Sequence, residues 1–187
     1  MDVWKALEEA RASVNAKIEA LSKTRDRIPF EGTKAINLAN VYTYMINVLE
    51  EIRNVLDCLR NAKDTNAVSL GKGVLRVRDS KWMVEVHDGS VIIKRINPSL
   101  SITISPEEVT IATRSKDEKE IKRVAKLGNG EFELIKDKLS IKGRYSDYDF
   151  VYNNSYYIRQ AFKEVAREVM KKGEPLISHL KFMNVSC

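Results

Sequence analysis

The sequence predicts an α+β fold: an N-terminal antiparallel helical hairpin, then a mostly antiparallel β-rich region with one short helix and a long C-terminal helix. Over the first third of the chain, apolar residues recur at steps of three and four, the period of helices that pack on each other. Beyond residue 66 the period changes to two, which is typical of strands with one buried face. Because helices and strands do not alternate, the sheet is expected to be antiparallel.

The hairpin is predicted over 1–65, with a first helix over 2–23 and a second over 33–63. At 1.5 Å per residue the second helix extends roughly ten residues past the first. Its uncovered apolar face must pack on the rest of the chain or on another chain, so we interpret it as an interaction surface. The seam of this face consists of Val41, Met45, Val48, Ile52, Val55 and Leu59.

The second predicted domain, residues 66–187, begins after a glycine-containing boundary. Asp88-Gly89 is a two-residue hairpin turn between alternating segments. The strands are predicted over 73–78, 81–87, 90–96, 100–105, 109–113, 131–135 and 138–141.

Two helices are expected in this second domain. Residues 115–118 match a capping box, which predicts a short helix over 115–128. The last long helix is predicted over 155–172, where Gly173 and Pro175 would end it.

Composition predicts a soluble protein of the cytoplasm. The chain has 187 residues, of which 43% are hydrophobic and 31% charged, enough to form a core. No apolar run approaches the roughly 18 residues of a membrane span, and acidic residues near the N-terminus argue against a signal peptide. A single glutamine beside abundant lysine and glutamate resembles the composition of hyperthermophile proteins.

The two cysteines are too few for a disulfide framework or a zinc ribbon. Cys58 lies in a helical pattern, where we expect a buried apolar residue. Cys187 is the last residue and is expected to be mobile.

Residue types that support catalysis are scarce, so we assign no catalytic, cofactor-binding or metal-binding residue and expect no cofactor. His87 and His179 are the only histidines, and neither has a catalytic partner at a recognisable spacing. Asp147 and Asp149 would share one face of a strand, within a tyrosine-rich segment. With His87 they are the third hypothesis, a metal-dependent or small-molecule enzyme.

Positive charge is concentrated in the second domain. The net charge is +6, yet residues 1–66 hold ten basic and ten acidic side chains. Arg159, Lys163 and Arg167 follow one another at four-residue steps on the last predicted helix. A pI near 9.2 is one mark of a nucleic-acid-binding protein. The candidate nucleic-acid face consists of Arg76, Arg78, Lys119, Lys122, Arg123, Lys126 and Arg144.

The sequence therefore favours a non-enzymatic interaction or assembly protein. The expected partner is a second copy of the chain or another protein, bound through the helical hairpin. The alternative is a nucleic-acid-binding protein that uses the basic face of the second domain, and no membrane contact is expected.

Overall fold

The computed structural model describes residues 2–97, 100–114 and 121–187, and this part of the chain has the predicted α+β architecture. Its helices are α1 (Val3–Asp26), α2 (Gly32–Asn61), α3 (Tyr148–Asn153) and α4 (Ser155–Phe182). Its strands are β1 (Val68–Gly71), β2 (Val74–Val77), β3 (Trp82–His87), β4 (Ser90–Arg95), β5 (Leu100–Ile104), β6 (Glu108–Arg114), β7 (Ile121–Gly128), β8 (Glu131–Lys136) and β9 (Leu139–Arg144).

Helices α1 and α2 form the antiparallel hairpin that the sequence predicts. Arg11 Nε donates to Asp57 Oδ1 at 2.5 Å, and Arg53 Nη1 donates to Asn15 Oδ1 at 3.0 Å. Early residues of α1 therefore lie beside late residues of α2. These polar contacts flank a seam in which the apolar side chains of both helices are buried.

A second face of α2, beside the one that α1 covers, packs against α4 of the same chain. Gly173 lies so close to α2 that a Cβ atom there would be 3.1 Å from Val55 Cγ2. Asn61 Nδ2 donates to the Ser186 carbonyl oxygen at 2.6 Å. Residue numbers increase in the same direction along both helices, so α2 and α4 are parallel. The sequence left open whether the apolar face of α2 packs on its own chain or on another chain, and in the structure it packs on its own chain.

The predicted end of the last helix is wrong, because α4 continues through Gly173 and Pro175 to Phe182. Glycine at 173 allows close approach to Val55 rather than ending the helix. Proline at 175 removes one backbone hydrogen bond. Burial of Leu176 and Leu180 stabilises the helix beyond that point.

The C-terminus is fixed rather than mobile, so that expectation is also wrong. Cys187 forms a disulfide with Cys58 of α2, and their Cα atoms are 4.5 Å apart. Val185 is buried beside this junction. The last residues thus close the α2–α4 contact.

The nine strands form one antiparallel sheet in chain order, each paired with the next. Between β3 and β4, Asp88 and Gly89 both have positive φ, as a type I′ hairpin turn requires. One register row of apolar residues crosses eight strands on the face that the helices cover. This row is Leu75, Val84, Ile93, Ile102, Ile111, Ala125, Leu134 and Ile141.

The predicted helix over 115–128 is wrong where it can be compared. Residues 121–128 form strand β7, and residues 115–120 lie outside the described part of the chain. Ala125 and Leu127 are both buried on the helix-covered face, two residues apart. Pairing with β6 and β8 thus overrides a local pattern that suits a helix.

The segment around Asp147 is helical, so the strand expected there is wrong. Asp147 is the N-cap of α3, and its carboxylate accepts a hydrogen bond from the Phe150 backbone N–H at 3.2 Å. Strand β1, which the sequence did not predict, has only four residues. No helix in the described residues is both long enough and apolar enough to cross a membrane.

Candidate functional site

The predicted hairpin interaction residues are core residues of this chain. Val41, Met45, Val48, Ile52 and Leu59 have no exposed surface, and Val55 is 2% exposed. Helices α1, α3 and α4 pack against α2. The prediction that this seam is an exposed partner surface is therefore wrong.

The predicted basic residues do not form one patch. Arg76 and Arg78 are exposed at β2, whereas Lys126 lies on β7 and Arg144 ends β9. Five strand spacings of about 4.8 Å separate β2 from β7, roughly 24 Å.

One residue of the predicted basic face, Arg123, already has its charge balanced by a carboxylate of this chain. Arg123 Nη1 forms an ion pair with Glu164 Oε2 of α4 at 2.5 Å. Since α4 lies on the helix-covered side of the sheet, Arg123 is not on the open face that carries Lys126. Lys119 and the side chain of Lys122 lie outside the described residues.

The tyrosine-rich segment has structural contacts. Tyr145 stacks on Phe132 with ring centroids 6.0 Å apart, and its hydroxyl donates to the Gly128 carbonyl oxygen at 3.1 Å. Burial raises the pKa of Tyr145 well above its usual range. Asp149 is exposed, with Lys34 Nζ at 3.9 Å. These contacts join the end of the sheet to the helices.

A metal-dependent or small-molecule enzyme built on His87, Asp147 and Asp149 would need side chains that the fold places on separate elements. His87 ends β3, where its Nε2 lies 3.2 Å from Glu85 Oε2. His179 contacts the Arg78 carbonyl oxygen through Nε2 at 2.6 Å. The described residues contain no group of three or more histidine, cysteine or acidic side chains placed to hold a metal ion.

A groove of about 280 Å³ lies between α2 and α4. The two helices are parallel, so each contributes one wall along its length. The walls consist of Tyr44, Asn47, Glu50 and Glu51 from α2 and Lys163, Ala166, Arg167 and Met170 from α4.

The α2 wall of this groove is acidic. Burial raises the pKa of the Glu51 carboxyl, and the nearby carboxylates of Glu174 and Glu50 raise it further. No cation in the described residues forms an ion pair with Glu50 or Glu51. We call Glu50 and Glu51 the acidic row.

The α4 wall is basic. Lys163 and Arg167 are exposed, four residues apart, and no described carboxylate pairs with either. We call these two residues the basic row. Met170, 44% exposed, lies one turn further along the same wall. The groove thus places an acidic and a basic row side by side, and neither row has a counter-ion among the described residues.

Only the α4 wall of this groove could be recognised from the sequence. The four-residue spacing of Lys163 and Arg167 is visible in the sequence, and the structure places both on one side of α4. The α2 wall was missed, although Tyr44, Asn47 and Glu51 also follow helical steps of three and four.

No protein-family model, no curated protein and no solved structure matches this chain.

Proposed function

We propose that the protein is a non-enzymatic assembly protein that binds a second copy of itself through the α2–α4 groove. The observation that supports this proposal is the pair of adjacent rows of opposite charge, neither of which forms an ion pair within the part of the chain that the structure describes. Charges arranged in this way favour a partner with the complementary arrangement. A second copy of the same groove has that arrangement.

The symmetry of such a dimer follows from the parallel helices. A two-fold axis running along the helices, in the plane between two facing grooves, places α2 of one copy over α4 of the other. Glu50 and Glu51 of each copy then face Lys163 and Arg167 of its partner. A two-fold axis across the helices would instead set acidic row on acidic row, which is repulsive. Isologous contact of one patch with itself is the commonest form of protein dimer.

Apolar groups add to the charge complementarity. Met170 is exposed on the basic wall, and Tyr44 is half-buried on the acidic wall. Burial of apolar area contributes about 25 cal/mol per Å², so burial of Met170 and Tyr44 in the interface would favour association. The charge pairs then favour the dimer whose two-fold axis runs along the helices over the one whose axis runs across them.

The test is the mass of the full chain in solution, measured by light scattering at roughly 50 and 500 mM salt. We expect twice the 21.4 kDa chain mass at low salt and a shift toward the monomer at high salt. Lys163→Glu with Arg167→Glu should give a monomer at both salts. The control, Lys5→Glu with Lys63→Glu, changes the net charge equally on exposed residues elsewhere and should leave the dimer intact.

A monomer at every concentration and salt would contradict self-association. A dimer that survives the reversal of Lys163 and Arg167 would contradict this groove as its interface. Circular dichroism of each variant establishes that the fold is intact.

The non-enzymatic part of the proposal is supported by where the reactive side chains lie. Both cysteines are joined in the disulfide, the two histidines are on different elements, and Asp147 caps a helix. A screen of the purified chain for bound metal ions and for hydrolysis of generic ester and phosphoester substrates tests it. A stoichiometric metal or a saturable hydrolysis would contradict it.

A second candidate function is nucleic-acid binding, favoured by the composition of the open face of the sheet. One register row of this face runs from Arg76 through Met83 and Lys94 to Ser101 and Ala112. Lys94 in this row forms an ion pair with Glu85 at 3.0 Å, so Arg76 is the cation of the row that is open to a phosphate. No aromatic side chain lies on this face among the described strand residues. Phosphate contacts to a duplex are therefore expected rather than base stacking.

Fluorescence anisotropy of labelled single- and double-stranded oligonucleotides with the full chain tests this second candidate. The expected result is duplex binding that weakens by orders of magnitude between about 50 and 200 mM salt. Arg76→Glu with Arg78→Glu should weaken it further. Absence of binding at the lower salt would contradict this candidate.

We also propose the cytoplasm as the location of the protein. A disulfide within a cytoplasmic chain is characteristic of hyperthermophiles, which agrees with the lysine- and glutamate-rich composition. Fractionation of the source cells tests the location, and alkylation of free thiols in freshly lysed cells tests whether the disulfide forms there. Full reduction of Cys58 and Cys187 in the cell would contradict the expected disulfide.

A further inference from the structure

A second cavity, of about 70 Å³, lies between α4 and the paired strands β7 and β8. Leu134, Ala161 and Val165 give it apolar walls, and charged side chains lie at its edge. The α4 residues that line it include 157, 161 and 164, whereas the α2–α4 groove uses 163, 167 and 170. These sets lie on different sides of the helix, so the cavity is separate from the proposed dimer interface.

Two polar atoms of residues that line this cavity are buried and have no partner among the described residues. They are Nε of Arg123 and the hydroxyl oxygen of Tyr157. Buried polar groups in folded proteins are almost always hydrogen-bonded. Two such groups at one cavity therefore indicate a ligand that accepts hydrogen bonds from both.

The charge at the cavity is suited to an anion. Arg123 on β7 and Lys136 on β8 are direct cross-strand partners, and like charges placed directly opposite repel. One carboxylate, that of Glu164, pairs with Arg123 through Nη1 at 2.5 Å. Two cations and one carboxylate leave one positive charge, which a monoanion would balance.

The volume, donor geometry and apolar walls of the cavity restrict which anions can bind there. A carboxylate can accept an N–H bond from the Nε edge of a guanidinium and an O–H bond from a phenol through its two oxygens. The cavity volume is that of about two water molecules, enough for a carboxylate with one or two further carbon atoms. The apolar walls suit that short carbon chain.

We propose that this cavity is a binding site for a small monocarboxylate of the size of acetate or propionate. Arg123 Nε and the Tyr157 hydroxyl donate to the carboxylate, and Leu134, Ala161 and Val165 surround the methyl or ethyl group. A ligand of four non-hydrogen atoms cannot bind more tightly than roughly 50 µM, so the site is expected to respond to millimolar concentrations.

The test follows the Arg123 Nε–Hε resonance of the ¹⁵N-labelled full chain during titration with sodium acetate, with sodium chloride at equal ionic strength as the reference. The resonance should shift saturably with acetate and not with chloride. Arg95 provides an internal control, because its Nε is also buried and without a partner but does not line this cavity. Its resonance should stay in place.

Two conservative variants and a longer ligand test the assigned contacts. Tyr157→Phe removes only the hydroxyl and should weaken acetate binding at least threefold. Ala161→Val adds two methyl groups to the cavity wall and should abolish the saturable shift, with the fold checked by the remaining amide resonances. Hexanoate, which is too long for the cavity, should not produce the saturable shift.

Three outcomes would overturn the proposal. Shifts of Arg123 that are equal in acetate and chloride would leave only water at the two polar atoms. Equal shifts of Arg95 and Arg123 would indicate a general ionic effect. Binding of hexanoate as tight as that of acetate would remove the cavity as the site.

Discussion

Lys17 Nζ on α1 donates a hydrogen bond to Asn129 Oδ1 in the turn between β7 and β8, at 3.1 Å. The same group donates to Ser13 Oγ at 2.9 Å and to the Pro106 carbonyl oxygen at 3.2 Å. Three N–H donors therefore meet three acceptors, and the side chain is fully buried. This cluster fixes the first helix to two turns at one end of the sheet.

Replacement of this lysine is the first prediction. Lys17→Met keeps the apolar stem but leaves the buried Ser13 hydroxyl and two partly exposed acceptors without this donor, so the free energy of unfolding should fall by about 1–3 kcal/mol. Guanidinium denaturation at pH 7 measures it. Lys23→Met on the same helix removes only an exposed pair with Glu19 and should change stability by less than about 0.5 kcal/mol. Equal effects of the two variants would contradict the role of Lys17.

The pH dependence of this contribution has a definite sign. Burial lowers the pKa of Lys17 in the folded chain, opposed by the charges of Glu107 and Glu108. The unfolded chain keeps this proton up to about pH 10.4, so it binds more protons than the folded chain between the two pKa values. Stability from Lys17 therefore increases with pH in that window, and Lys17→Met should be more damaging at pH 10 than at pH 7.

The contribution of Tyr42 to stability has the opposite pH dependence. Its hydroxyl donates to the Tyr145 carbonyl oxygen at 2.5 Å, and burial, followed by the nearby Tyr148 and Asp147, raises the pKa of Tyr42 far above its usual value. In the unfolded chain this phenol ionises near pH 10. Stability due to this group is full below pH 10 and falls as pH rises beyond it, by up to about 1.4 kcal/mol per pH unit.

Urea denaturation of the wild type and Tyr42→Phe at pH 9, 10 and 11 measures this effect. The variant should be less stable at pH 9, because it loses the hydrogen bond, but its stability should fall less steeply between pH 10 and 11. Parallel pH dependences for the two proteins would show that Tyr42 does not titrate in this way.

The disulfide is expected to contribute to thermal stability. Cys58 and Cys187 are 129 residues apart in sequence, and closure of a loop of that length restricts the unfolded chain by about 4–5 kcal/mol in the entropy treatment. Cys187→Ser should lower the melting temperature measured by calorimetry. Reductant should lower the wild type to the same value and leave the variant unchanged; a variant that melts with the oxidised wild type would refute this contribution.

Gly143 is required by close contact rather than by backbone conformation. A Cβ atom there would lie 2.6 Å from Phe150 Cε1 and 3.2 Å from Phe132 Cε1. Gly143→Ala should therefore destabilise the chain by about 1–3 kcal/mol. Gly130→Ala is the matched control, since nothing lies within 4 Å of its added Cβ. If denaturation midpoints of the two variants agree, the packing of α3 on β9 is not as described.

Elements with one consistent local pattern could be predicted from the sequence. Leu100, Ile102 and Ile104 alternate with hydroxyl-bearing residues, and the strand they form is β5. The pattern of β7 is ambiguous, because Ile121, Val124 and Ala125 have helical spacing. Only pairing with strands on either side makes that segment a strand, and no local window contains this information.

The α2–α4 groove could likewise be predicted only in part from local sequence patterns. The spacing of Lys163 and Arg167 is a property of one helix and can be seen in sequence. Their position beside Glu50 and Glu51 depends on α4 packing parallel to α2, and the premature end predicted at Gly173 concealed that contact. The predicted hairpin surface failed for the same reason, because the partner of α2 is another segment of its own chain.

The most direct test of the account mixes two charge-reversed chains. Glu50→Lys with Glu51→Lys gives a chain in which both groove walls are basic, and Lys163→Glu with Arg167→Glu gives one in which both are acidic. Light scattering at low salt should show each alone as a monomer and their equimolar mixture as a heterodimer of twice the 21.4 kDa chain mass. If the mixture stays monomeric, or if either reversed chain alone forms a dimer, self-association through the α2–α4 groove is contradicted.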